Sequence, residues 1–133
     1  MSNANEVLIR AAYAAYERAD LAGMLDHIDE DLEWTYLDPA FEHPEPQVCR
    51  GRHEFQVALE RQIAHGLKAH LEEVLANGDQ VMVVIRTPGV DAGRARPNGD
   101  LNTDVMTVRG GKVVAIRACH DRAEALALVG QGS

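Results

Sequence analysis

From residue 68 onward the chain is written in a period of two. KAHLEEVLA and DQVMVVIRT flank Asn77-Gly78, and DLNTDVMTVR and KVVAIRACHD flank Gly110-Gly111. A short glycine-bearing turn between alternating segments is a strong local hairpin signal, because glycine reaches the positive φ that tight turns demand. Two hairpins in succession, joined by PGVDAGRARPNG at 88–99, commit the second half of the chain to antiparallel sheet. Such a sheet must bury at least one face, so the first half has to supply the cover.

The first half supplies helices. Residues 5–19, NEVLIRAAYAAYERA, are alanine-rich, with Asn3 and Glu6 spaced as a capping pair. Leu8, Ala12, Ala15 and Tyr16 fall on one helical face, with Tyr13 near its edge. Asp20 is placed to cap a short second helix, LAGMLDHI. DLEWTYLD, 31–38, reads as a strand ending at Pro39, which has no N–H for a ladder. PAFEHPEPQVCRG reads as a loop, and RHEFQVALERQIAH as a third helix with Phe55, Leu59 and Ile63 at i, i+4 and i+8. RAEALALV, near the end, reads as a short amphipathic turn. The predicted order is α-α-β-α-β-β-β-β, an α+β fold in which a curved antiparallel sheet carries helices on one face.

Composition narrows the function classes. At 133 residues the chain has the length of one domain, and 46% hydrophobic residues suffice for a core of its own. A formal net charge of −8 argues against nucleic acid and anionic membrane as partners, which need basic footprints. The longest strictly apolar run is VMVVI, 81–85, too short to span a bilayer, and MSNANE shows no signal-peptide pattern. Cys49 and Cys119 read as reduced thiols, which points to a cytoplasmic protein. His43, His53, His65 and His70 lack metal-ligand spacing, and no phosphate loop or GxSxG occurs.

The polar residues of the strands carry the functional reading. A period of two sets Asn102, Asp104 and Met106 on one face of their strand, and Ile116, Ala118 and His120 on one face of the next. Register across Gly110-Gly111 decides whether the two sets coincide. On the helix-covered side they would line a largely apolar cavity with Asp38 at its rim, where a half-buried carboxylate has a raised pKa. Trp34, Tyr16, Phe41 and Phe55 would complete its lining. Each residue also has an ordinary reading. Asp38-Pro39 is a common turn dipeptide, Asp104 can face solvent, His120 can be a hydrogen-bonded histidine, and Tyr13 and Tyr16 can be core residues with a wet hydroxyl.

Several strings resemble the nuclear transport factor 2-like superfamily, which includes ketosteroid isomerases and SnoaL-like polyketide cyclases. ERADLAGMLDHIDEDLEW resembles the helix–helix–strand opening of SnoaL-like proteins, CRGRHEF the start of their third helix, and GGKVVAIRACHDRAEAL their last hairpin and tail. The resemblance implies a cone-shaped half-barrel with one pocket. LDP at 37–39 and DVM at 104–106 match motifs of the ketosteroid isomerase branch. There the first aspartate is the general base and the second is a neutral acid in the oxyanion hole, so Asp38 and Asp104 take those roles by resemblance. The first-helix tyrosine of that branch falls nearest Tyr13. His120 stands where the branch has a pocket-facing aromatic, and His120 with Asp121 would also suit a SnoaL-like cyclase.

The function this implies is enolisation of a small apolar carbonyl compound, as isomerase or cyclase, with no metal or organic cofactor. Two alternatives stand beside it. One is a non-catalytic ligand-binding or scaffold protein. The other is an epoxide hydrolase-like Asp–Arg–Asp site, for which Arg86 is the candidate arginine. β-Branched residues on both strand faces, including Val84, Val105 and Val114, further suggest a homodimer.

Overall fold

The computed structural model describes residues 4–36, 47–64, 69–86, 101–119 and 121–131. Helices α1 (Ala4–Glu17) and α2 (Leu21–Leu25) lead into strand β1 (Ile28–Tyr36) and a short β2 (Gln47–Arg50). Helix α3 (Arg52–Ala64) follows, then β3 (His70–Asn77), β4 (Gln80–Arg86), β5 (Leu101–Arg109), β6 (Lys112–Cys119) and helix α4 (Arg122–Gln131). The strands form one curved, unclosed sheet in the order β2-β1-β6-β5-β4-β3.

The α+β fold with helices in the N-terminal half is as expected, with three differences. QVCR, within the expected loop, is a strand that pairs antiparallel with β1, Trp34 opposite Cys49. Four residues are too few to show a period. β1 runs parallel to β6, so the sheet is mixed. The tail is a ten-residue helix, α4, whose N-terminus is capped where the Glu124 N–H donates to Asp121 Oδ1 at 2.8 Å.

The hairpins are in place, with one shift of register. Asn77 pairs with Gln80, so the two-residue loop is Gly78-Asp79 and not Asn77-Gly78. Gly78 holds φ +62°, the value a II′ turn requires at its first loop position. In the second hairpin Arg109 pairs with Lys112, and Gly110 and Gly111 both have positive φ, as a I′ turn requires. Cross-strand partners point the same way, so this register sets Asn102, Asp104 and Met106 on the same face as Ile116 and Ala118.

That face lies under α1, α2 and α3. Ile9, Ala12, Tyr13, Ala15 and Tyr16 of α1 are buried against it, together with Met24 of α2 and Phe55 and Leu59 of α3. The α1 stripe is thus centred one residue from the expected one: Ile9 is fully buried, and Leu8 sits at the edge. From the sheet come Val81, Val83 and Ile85 of β4, Met106 of β5 and Ile116 of β6.

The opposite face has its own cover. Met82, Val84, Val105 and Cys119 pack with Ala125 and Val129 of α4. Two of the three valines that suggested a second copy, Val84 and Val105, are therefore buried within the chain itself. Among the described residues no helix is long and apolar enough to cross a membrane.

Candidate functional site

Asp104 occupies the middle of β5, in the centre of the sheet. Its cross-strand neighbours on the inner face are Val83 of β4 and Ala118 of β6. Asn102, opposite Ile85, and Met106, opposite Val81 and Ile116, flank it along the strand. Beyond Ile116 lies Trp34 of β1, whose ring meets Phe55 of α3 edge to face at 5.2 Å. The wall is thus apolar, and the carboxyl of Asp104 is set into it.

Burial governs the chemistry of this group. Desolvation pushes the Asp104 carboxyl from its ordinary 3.8 up to about 7. The residue keeps part of its surface, yet its carboxyl is desolvated like a core group.

Helix α1 lays two tyrosines over this face, one turn apart. Tyr13 is 7% exposed and Tyr16 5%. The Tyr13 hydroxyl is raised well above its ordinary value, by burial first, then by negative charge on Asp104 and on Tyr16. Burial also raises Tyr16. Asp104 and Tyr13 lie within electrostatic reach of one another, and both environments favour the protonated, donor form. Two neutral donors in an apolar wall, and no resident cation invoked for either shift, make a setting in which a ligand oxygen gaining negative charge would be stabilised.

Of the candidate site residues, the structure sets Tyr13, Tyr16, Asp104, Asn102, Met106, Ile116, Ala118, Trp34 and Phe55 on or over the inner face. Asp38, Phe41 and His120 lie outside the described residues. Asp121 is an exposed helix cap on the far side of the sheet. Arg86 alternates with the inward Ile85, points to the outer face and pairs with Glu72 at 2.8 Å, which removes the arginine the epoxide hydrolase-like reading needs. Val83, the direct neighbour of Asp104, went unnamed in the sequence; only the β4–β5 register reveals it. Among the described residues no group of three or more His, Cys, Asp or Glu could hold a metal ion.

The SnoaL-like domain model matches residues 9–116, most of the chain. The chain belongs to the SnoaL-like family. It thereby falls in the nuclear transport factor 2-like superfamily, as the resemblance implied. Among solved structures, a nuclear transport factor 2-like protein of unknown function from Burkholderia pseudomallei is 24% identical, with 97% of this chain and 98% of that one covered and a TM-score of 0.63. A protein described as a candidate polyketide cyclase from Sinorhizobium meliloti is 14% identical, covers 84% of this chain and 93% of its own, and has a TM-score of 0.64. One described as a candidate ketosteroid isomerase from Kribbella flavida is 13% identical, with 85% and 74% covered and a TM-score of 0.64. Likeness at these identities establishes the fold of this SnoaL-like chain and leaves its chemistry to its own residues. No curated protein matches it.

Proposed function

We propose that this SnoaL-like protein binds a small apolar carbonyl compound on the inner face and enolises it, as an isomerase or cyclase. The observation that carries this reading is the buried pair Tyr13 and Asp104, one on the helix layer and one on the sheet, both held toward the protonated form. The carbonyl oxygen of the ligand accepts from both. Asp38, just beyond the end of β1 in the chain, removes the proton alpha to the carbonyl, the role its LDP motif implies. Negative charge then grows on an oxygen whose donors are already in place, which lowers the barrier without reorganisation. A positioned base adds roughly 10²–10⁴-fold. Returning the proton at another carbon gives isomerisation, and attack of the enolate on a second carbonyl gives cyclisation. The mechanism calls on no cofactor. His120, next after the end of β6, is the further donor candidate of this scheme.

The test is exchange of the alpha proton for deuterium in a panel of cyclic ketones and enones, followed by NMR. Wild type exchanges protons in at least one ketone. Asp38→Asn loses the exchange while still binding the ketone, and Tyr13→Phe and Asp104→Leu slow it. Ketone binding without exchange in wild type would leave a ligand-binding protein as the reading.

A further inference from the structure

The alternation that turns Asp104 inward turns Asn102 inward as well, opposite the buried Ile85. Asn102, Asp104 and Ala118, the cross-strand partner of Asp104, are all half-buried. The inward residues around them are closed over: Val83 is 0% exposed, Met106 3%, Ile116 4% and Ile85 6%. The three half-buried neighbours therefore mark where the helix layer leaves the inner face open.

This opening has a direction. Met106 is sealed on one side of Asp104, so a ligand whose carbonyl oxygen meets Asp104 extends the other way, across Ala118 and toward Asn102. An alanine opposite Asp104 leaves width for a ring. Asn102 is the second residue of β5, at the end of the sheet where β1 and β6 finish. Alternate side chains on one face of a strand stand about 6.5 Å apart. Asparagine has the shape of aspartate, so the Asn102 amide repeats the Asp104 carboxyl one such step further along the ligand.

The two groups differ in what they offer. A protonated carboxyl donates one hydrogen, whereas an amide has two donor hydrogens and two acceptor lone pairs. A ligand group can thus bond to the amide beside any contact the amide makes within the protein. A polar side chain in an apolar wall favours a ligand that brings a polar group to it, because an apolar one displaces its water and returns no hydrogen bond.

We infer that Asn102 is a specificity-determining residue that reads a second oxygen on the substrate, a hydroxyl or carbonyl across one ring from the carbonyl held by Asp104. The inference rests on the enolisation reading for the role of the first carbonyl, and it narrows the substrate class to cyclic ketones with a second oxygen function.

The experiment compares two cyclohexanones that differ at the carbon opposite the carbonyl, one bearing a hydroxyl and the other a methyl group. NMR titration gives the Kd of each for full-length wild type, Asn102→Leu and Asn102→Thr, and alpha-proton exchange is followed in the same samples. Wild type binds the hydroxy ketone roughly tenfold more tightly than the methyl ketone, the worth of one hydrogen bond at a half-buried site. Asn102→Leu, of similar size, levels or reverses that preference. Asn102→Thr keeps a hydrogen-bonding group and suits a strand, so it retains a preference for the hydroxy ketone, which separates recognition from packing. Equal affinity of wild type for the two ketones, or binding of neither, overturns the inference. So does an Asn102→Leu protein that keeps the wild-type preference, or one that loses both ketones equally. Preferential binding of the hydroxy ketone without exchange would overturn the enolisation reading and leave the assignment of Asn102 standing.

Discussion

At the scale of single residues the protein rests on one unusual carboxyl. Asp104 sits between Val83 and Ala118 and keeps its proton to about pH 7, where an unfolded chain loses it near 3.8. Between those values the folded state binds the extra proton, so stability falls as pH rises through the window. It is full below about pH 4 and levels off above pH 7, where both states are ionised. The shift corresponds to an upper limit of about 4 kcal/mol. Asp104→Asn removes this term, and melting followed from pH 4 to 8 should show a flatter profile for the variant, with the largest gain over wild type at the alkaline end. Enolisation should respond in the same window, because ionised Asp104 has no proton to donate: the rate declines as pH rises through 7. The identity of this residue was legible in DVM, and its grouping with Asn102 and Met106 in the alternation of β5, while the side that group faces was left open. Its depth was not legible, because depth depends on α1 and on the register with β4 and β6. The α1 tyrosines show the same limit. Periodicity put Tyr16 in the stripe and Tyr13 at its edge, yet both are buried, since the stripe centres on Ile9 and not on Leu8.

At the scale of elements, the joint between α1 and α2 gives two opposed predictions. α1 ends in a Schellman motif: Asp20 N–H reaches the Ala15 carbonyl at 2.8 Å and Ala19 N–H the Tyr16 carbonyl at 2.9 Å. This places Ala19 at φ +59°, a left-handed conformation that favours glycine. Ala19→Gly should stabilise the protein by about 0.5–1 kcal/mol, the relief of strain exceeding the added freedom of the unfolded chain. Three residues on, the Gly23 N–H donates to Asp20 Oδ1 at 3.0 Å, and a Cβ on Gly23 would stand 2.4 Å from Asp20 Oδ2. Gly23→Ala should dislodge the cap and cost about 1 kcal/mol. Urea unfolding of both variants checks the pair of signs. Asp20 was readable as a cap because its residue type and position suffice. The Schellman turn was not, since it carries alanine where glycine marks it. β2 escaped because it is four residues in a proline-rich run, and the parallel β1–β6 pair because nothing local encodes a partner so distant in sequence.

At the scale of the molecule, the sheet is sandwiched. The inner layer of α1, α2 and α3 and the outer α4 seal β4 and β5 on both sides, and Val81, Met82 and Val83 are wholly buried in succession. The unbroken apolar run VMVVI carried that information, since a strand covered on both faces loses its alternation. Val84 of this run, with Val105 and Val114, also suggested a homodimer; α4, read in the sequence only as a short amphipathic turn, covers Val84 and Val105. Val129→Ala, which trims the outer layer at a buried position, should cost about 1–3 kcal/mol and raise Cys119 reactivity, as urea melts and alkylation would show. Burial on the inner face raises the Asp104 carboxyl toward its protonated form, and that retained proton is the property on which the proposed chemistry depends. The most direct measurement is the NMR titration of the Asp104 carboxyl carbon in wild-type protein, assigned with Asp104→Asn. A midpoint near 7 is the expected result. A midpoint near 4 would show an ionised carboxylate at neutral pH and contradict the account.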